Sequence, residues 1–390
     1  MIENKTSEKE KNNNNELNPI NSIKKLFGLP NIGESCYMNS FLNILLHTPH
    51  FLETLKEYHN EKSDPLIDSL IKLSEKPKKE SLKQIKVAMA EEDKSFGKIV
   101  QNDSQEFGVI LLNKIITKIK GNISFEEDSN EDETNIQIDK DYKIQKFEMF
   151  KNKYCKKDIK LDEMFQFQEI MFNFDSNGKN INYKSIDFNS FFNIDLSFPN
   201  QSNKNSYSLI ELMAYKYPKN PLNQINKEAN EQIKQEDEYY IITQIKIFLE
   251  FIRKKLQSIF YKNKNNEDNE DNNLFYSNLA SLPNILIISI NRAFLRFNIF
   301  ENSLSFEDTL DLKDYLDEAF LEKEKGTKYK LYGVNLCEKY LLINAGHYYS
   351  YVKINDKWYK FDDDKPVKEI PLDLESKYVT GLFYVKEKLI

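Results

Sequence analysis

A chain of 390 residues that is 40% hydrophobic, with 27 Phe and 22 Tyr, carries enough apolar material for one large or two ordinary domains, which excludes a wholly disordered protein. Its formal net charge of -7 is spread over interspersed acids and bases, which excludes the basic footprint of a nucleic-acid binder. The 3 cysteines, Cys36, Cys155 and Cys337, are odd in number and far apart, which excludes a disulfide framework and a zinc site of paired cysteines. No window has the apolar length of a membrane span, and the N-terminus lacks the apolar core of a signal peptide. The expectation is a soluble intracellular protein, cytoplasmic and/or nuclear, that engages no membrane and needs no cofactor or metal.

Residues 1–25 are rich in Asn, Lys and Glu and are expected to form a floppy tail, with the folded domain running over 26–387. From Cys36, the residues Tyr37, Met38, Phe41, Leu42, Leu45 and Leu46 recur at helical spacing, with Ser35 as N-cap and Pro49 barring continuation. Asp103 and Glu106 form a capping-box pattern ahead of a second helix whose stripe is Phe107, Leu111, Ile115 and Ile119. Glu126 to Asp139 reads as an acidic loop, and Phe192, Ile194, Leu196 and Phe198 alternate as in a half-buried strand. Ile241 to Phe260 has an amphipathic helical pattern, followed by a polar loop over Lys262 to Asn273. The remainder reads as mostly β, with a buried strand at Leu286 to Ile290. A hairpin runs from His347 to Asp363 about the turn Asn355-Asp356.

A thiol at a helix N-terminus meets the positive end of the dipole, which favours thiolate and suits Cys36 to be a nucleophile. Position alone leaves this level with the alternative of a small core hydrophobe. Of the 4 histidines, His47 lies on the same helix roughly 16 Å along its axis at about 1.5 Å per residue. His50 and His59 follow the helix end, leaving His347 as the credible base. Across the hairpin, a loop of two or four residues puts Asp362 on the face of His347 and turns Asp363 away, whereas a three-residue loop exchanges them. A carboxylate there would fix the ring's tautomer and stabilise the imidazolium. The Cys36 N–H and the Asn31 amide are candidate donors for an oxyanion.

These segments together resemble the ubiquitin-specific protease family of cysteine deubiquitinases. Gly28-Leu-Pro-Asn-Ile-Gly-Glu-Ser-Cys-Tyr-Met-Asn39 is similar to its cysteine box, and Gly346-His-Tyr-Tyr-Ser-Tyr-Val with Trp358-Tyr-Lys-Phe-Asp-Asp363 to its histidine box. Gln101-Asn-Asp-Ser-Gln-Glu-Phe107, Leu282-Pro-Asn-Ile-Leu-Ile-Ile with Asn291-Arg292, Tyr329-Lys-Leu-Tyr-Gly-Val334 and Gly381-Leu-Phe-Tyr384 match further segments in family order. The resemblance implies an α+β, papain-like cysteine peptidase of thumb, palm and fingers architecture. The thumb would be helical, the palm antiparallel β, and the fingers and insertions would lie within about 125–275. It implies hydrolysis of the isopeptide or peptide bond after the C-terminal glycine of ubiquitin through a thioester, with ubiquitin and ubiquitinated proteins as partners. By the same match Cys36, His347, Asp362, Asn31 and Asp363 are catalytic, and Gln101, Asp103, Glu106, Gly346 and Tyr348 are placed at the substrate. Tyr348 and Phe361 also suit packing.

Four departures from the family pattern bear on function. The region around Met171 to Phe174 lacks the two Cys-x-x-Cys pairs that often hold zinc at the fingertips, so aromatic packing is expected to hold the fingers. Glu34 replaces the usual Asn, and an inward carboxylate there would oppose a thiolate. Cys337 stands where the family often has His, and Glu338 to Ala345 lacks the usual glycines. The 241–260 helix reads as an insertion that packs on its own domain or docks a partner. Rival readings are a catalytically weak or inactive ubiquitin-binding module, the same fold acting on a ubiquitin-like modifier, and a papain-like protease. The last is disfavoured by the separation of Cys36 from His347, far beyond the roughly 130 to 150 residues of that family.

Overall fold

The computed structural model describes residues 26–61, 63–121, 138–154, 159–177, 180–199, 204–218, 273–294, 298–299, 302–339 and 346–389. The expected tail, nearly all of the acidic loop, Cys155 and the 241–260 helix lie outside them.

The apolar run after Cys36 folds as the helix Cys36–Leu46, in which every residue is buried. A helix buried all round must be enclosed, and this one lies between the helix Ser104–Lys120 and the palm sheet. Two glycines allow that closeness. A Cβ on Gly108 would sit 1.9 Å from the Phe41 ring, and one on Gly333 would sit 2.5 Å from Ile44 Cγ2. The helices Phe51–Glu61, Pro65–Glu75 and Lys79–Ala90 complete the thumb, each packed against the next. Asp64 caps Pro65–Glu75 by accepting from Leu66 N at 2.8 Å and Ile67 N at 3.3 Å, and Pro at the first position costs no hydrogen bond.

The palm is an 8-stranded sheet. Its main path runs Lys368–Glu369, Lys357–Phe361, Gly346–Ile354, Lys328–Lys339, Val379–Lys386, Ile285–Asn291 and Ile194–Ser197, with Thr309–Asp311 paired to the start of Lys328–Lys339. The pairs are antiparallel except the last, where Ile194–Ser197 runs parallel to Ile285–Asn291. The palm is thus antiparallel as expected, with one parallel pair at its edge. One face of the sheet packs on the thumb, and the other on the helix Leu209–Lys216 with Leu312, Tyr315 and Leu316. Coverage on both faces explains why all of Val379–Lys386 is buried and why the strand is continuously apolar over Ile285 to Ile288. Arg292, buried at the edge, donates to the carbonyls of Val379, Asn302 and Ser376 and lies 5.0 Å over the Phe198 ring.

The fingers are an antiparallel sheet of Asn180–Phe191, Phe167–Asn177 and Asn273–Leu279. Phe172 stacks on Tyr276 with centroids 4.5 Å apart, and Phe147 of the helix Lys140–Tyr154 packs against Phe188 and Phe320. Aromatic contacts hold the described part of the fingers. No helix among the described residues is long and apolar enough to cross a membrane.

Candidate active site

The cysteine loop folds around one side chain. Asn31 Oδ1 accepts from Gly33 N at 2.9 Å, Ser35 N at 3.3 Å and Ser35 Oγ at 3.2 Å, curling Asn31 to Ser35 into the turn that delivers Cys36 to the helix start. Ser35 is the N-cap residue without a side-chain bond to the helix, because its hydroxyl accepts from Ile32 N and faces Asn31. Gly33 and Glu34 both take positive φ, 100° and 47°. Glu34 is exposed, so its carboxylate is not packed inward against the thiol.

The hairpin Gly346–Ile354 to Lys357–Phe361 turns through two residues, Asn355 and Asp356, both at positive φ, as a tight primed turn requires. That even count sets Asp362 diagonal to His347. His347 Nε2 lies 2.6 Å from Asp362 Oδ1, with the two side chains 25% and 14% exposed. Nδ1 is left for the thiol, and Cys36, 3% exposed, hydrogen-bonds the same ring. That bond is the largest influence on His347. Burial opposes it, Asp362 reinforces it, and the imidazole is pushed up to about 9. At Asp362 burial favours the neutral acid, but hydrogen bonds from His347 and from Lys365 Nζ at 3.0 Å outweigh it and hold the carboxyl below its ordinary value. At neutral pH the site therefore holds an imidazolium between the Asp362 carboxylate and the Cys36 sulfur.

Asp363 turns the other way, at φ 48°, and its carboxylate joins two segments of the cysteine box. Oδ2 accepts from Asn31 Nδ2 at 3.0 Å and Oδ1 from Asn39 Nδ2 at 2.8 Å. Asn39, buried on the cysteine helix, also donates to the carbonyls of Leu29 and Pro30. The sequence reading did not single out Asn39 as a site residue, because its amide, like that of Asn43 one turn on, carries no local mark of a partner 324 positions away. Gly28 lies against the other side of the same turn, where a Cβ would sit 1.9 Å from the Asp363 carbonyl oxygen. One hydrogen of the Asn31 amide is thus held by Asp363, leaving the second for a ligand.

The expected substrate residues divide. Gln101 pairs through its side-chain amide with the backbone of Gly346, accepting from Gly346 N at 2.8 Å and donating to its carbonyl. The structure thereby sets Gln101 and Gly346 as a brace on the histidine strand. Asp103 and Glu106 are exposed at the start of the helix Ser104–Lys120, which Asp103 caps by accepting from Gln105 N and Glu106 N. Tyr348 is 6% exposed in the core shared by thumb and palm, where burial raises its phenol well above the usual range. That place fits the packing role expected of Tyr348 beside its placement at the substrate. Phe361 is fully buried in the same core. Cys337 is also buried there, and residues 340–345 of the following loop lie outside the described ones. His347, Asp362 and Asp363 offer ligand atoms within 4.8 Å of one another, but these atoms already bond to each other or to Asn31 and Asn39.

A helix-borne thiol facing an imidazole on a β palm, with a carboxylate behind it, defines the papain-like cysteine peptidase class. The profile of the family described as ubiquitin carboxyl-terminal hydrolase matches residues 27–384, and this chain belongs to that family. The Arabidopsis thaliana protein named ubiquitin carboxyl-terminal hydrolase 16 is 34% identical over 108 residues, which is 27% of this chain and 10% of that protein. The Mus musculus protein named ubiquitin carboxyl-terminal hydrolase 17-like protein D is 33% identical over 112 residues, 28% of this chain and 20% of that protein. This chain thus matches a fifth or less of those two relatives' lengths. Among solved structures, the Ubp8-Sgf11-Sgf73-Sus1 SAGA DUB module superimposes with a TM-score of 0.58 at 18% identity, covering 93% of this chain and 68% of that one. The same module bound to ubiquitin aldehyde gives 0.56 at 17% identity, covering 93% and 70%. These likenesses show the fold.

Proposed function

We propose that this chain is a deubiquitinating thiol peptidase that hydrolyses the isopeptide or peptide bond after the C-terminal glycine of ubiquitin. The observation that carries the reading is the continuous chain from Cys36 through His347 to Asp362, with Asp362 Oδ1 2.6 Å from His347 Nε2 and the imidazole raised to about 9. In this mechanism the Cys36 thiolate attacks the glycine carbonyl. The oxyanion is met by the Cys36 N–H and the free hydrogen of the Asn31 amide, which Asp363 orients. The His347 imidazolium gives its proton to the leaving amine as the C–N bond breaks, forming a thioester. Neutral His347 then takes a proton from water, hydroxide adds to the thioester carbonyl and displaces the sulfur, and the products are thiolate, imidazolium and a carboxylic acid that loses its proton to solvent. The exposed carboxylates of Asp103 and Glu106 suit them to a basic tail entering the cleft. Ubiquitin and ubiquitinated proteins are the partners of this reading, met in the cytoplasm and/or nucleus.

The test is turnover of ubiquitin bearing a C-terminal fluorogenic amide, run beside ubiquitin-like modifiers carrying the same group. Preferential cleavage of ubiquitin is expected. Preference for another modifier would reassign the substrate, and tight ubiquitin binding without turnover would favour a binding module.

A further inference from the structure

Lys86 lies on the thumb helix Lys79–Ala90 and is only 8% exposed. Among the described residues its ammonium has one hydrogen-bond partner, the carbonyl oxygen of Gly33 at 3.4 Å, and no carboxylate in ion-pair range. Burial lowers its pKa, with no acid acting in the other direction. Covering an ammonium without a counter-charge is costly, so stability alone is a poor reason to find it here. What it touches is the most deformable peptide of the cysteine loop.

Gly33 has φ 100° and Glu34 φ 47°, so the Gly33–Glu34 peptide plane is set by a residue free to rotate followed by one under strain. Within the loop, the N–H groups of Gly33 and Ser35 turn in to Asn31 Oδ1 and that of Ile32 to Ser35 Oγ. Those of Glu34 and Cys36 stand outside these internal bonds. A trans peptide holds C=O and N–H antiparallel, so a cation fixed on the Gly33 carbonyl also fixes the direction of the Glu34 N–H. On the Cα side, Ile99 packs close enough that a Cβ on Gly33 would meet its Cγ2 at 3.3 Å.

We propose that Lys86 is a positioning residue that locks the Gly33–Glu34 peptide, so that the Glu34 N–H joins the Cys36 N–H as a preset donor to the oxyanion. The inference rests on the peptidase reading above for its purpose, though not for its geometry. Lys86 acts through the loop and touches no reacting atom.

The test uses the full chain with Lys86→Met, which keeps the stem and removes the donor, and Lys86→Gln, which keeps a neutral donor. Turnover of the fluorogenic ubiquitin amide is measured together with hydrogen exchange of the peptide covering Asn31 to Tyr37. For Lys86→Met, kcat is expected to fall about tenfold with KM within about twofold, because only the transition state carries the oxyanion. Exchange should rise in the loop alone, with the melting temperature unchanged or higher, and Lys86→Gln should recover part of kcat. An unchanged loop, or exchange spreading through Lys79–Ala90 with a lower melting temperature, would overturn the assignment in favour of a packing role. If wild-type protein turned over no ubiquitin substrate, the peptidase reading would fall, while the exchange result would still decide whether Lys86 holds the loop.

Discussion

Replacing Asp362 by Asn keeps the shape of the group behind His347 and removes its charge. The contact is 2.6 Å in a half-enclosed site, and hydrogen bonds involving a charged partner contribute about 1.5–3 kcal/mol. At about 1.4 kcal/mol per decade, kcat/KM for a ubiquitin C-terminal amide should fall by about 10- to 150-fold. A second signature comes from proton affinity. With Asp362 present the imidazole keeps its proton up to about 9, so the working ion pair persists to that pH and activity falls as pH rises through it. In Asp362→Asn two contributions that raise His347 are weakened, while Lys365 at 3.0 Å and Lys360 at 3.8 Å from the old carboxylate lose their counter-charge. The alkaline limb should therefore move down, toward the ordinary imidazole value near 6.5. The assay is kcat/KM against pH for both proteins over the range where each stays folded. A variant with wild-type rate and an unmoved limb would refute the reasoning, as would a wild-type limb already at the ordinary imidazole value.

Gly28→Ala forces a methyl against the Asp363 carbonyl, a backbone atom that cannot swing aside. It should cost about 1–3 kcal/mol by chemical denaturation and also lower kcat, because the displaced turn holds Asn31 and Asn39; full activity with full stability would contradict the packing described. Gln101→Ala removes both bonds to Gly346, so a brace predicts a drop in kcat of about tenfold at near-constant KM, whereas a selective rise in KM would restore Gln101 to direct substrate contact. Glu34→Asn relieves a non-glycine residue at φ 47° and should raise stability by about 1 kcal/mol with turnover retained, measured by denaturant titration and steady-state rate.

Much of this arrangement is legible in the residues because the elements near the site obey local rules. The helix Cys36–Leu46 announces itself by an unbroken apolar face, and the histidine hairpin by Asn355-Asp356, whose residue types tolerate the positive φ the turn imposes. The helices Pro65–Glu75 and Leu209–Lys216 were not read from sequence, although Asp64-Pro65 and the Ser208/Glu211 capping box carry the signal; Leu209–Lys216 is only 8 residues long and leaves Ile210 and Tyr215 exposed, which blurs its apolar period. The finger strands were not read either, since Phe167–Asn177 mixes apolar and polar residues without strict alternation and takes its strand state from neighbours on both sides. Asn39 and Gln101 were beyond local reasoning for another reason. Their partners, Asp363 and Gly346, lie hundreds of positions away, and only tertiary contact distinguishes a brace from a surface amide.

The central claim is that the Cys36 sulfur is the nucleophile for a ubiquitin C-terminus and that His347 activates it. Ubiquitin carrying a C-terminal electrophile, incubated with wild-type, Cys36→Ala and His347→Gln proteins and mapped by peptide mass, tests it most directly. A single adduct on Cys36 in the wild type, none in Cys36→Ala and slow formation in His347→Gln is the predicted result. An adduct on Cys155 or Cys337, or undiminished labelling without Cys36, would contradict it.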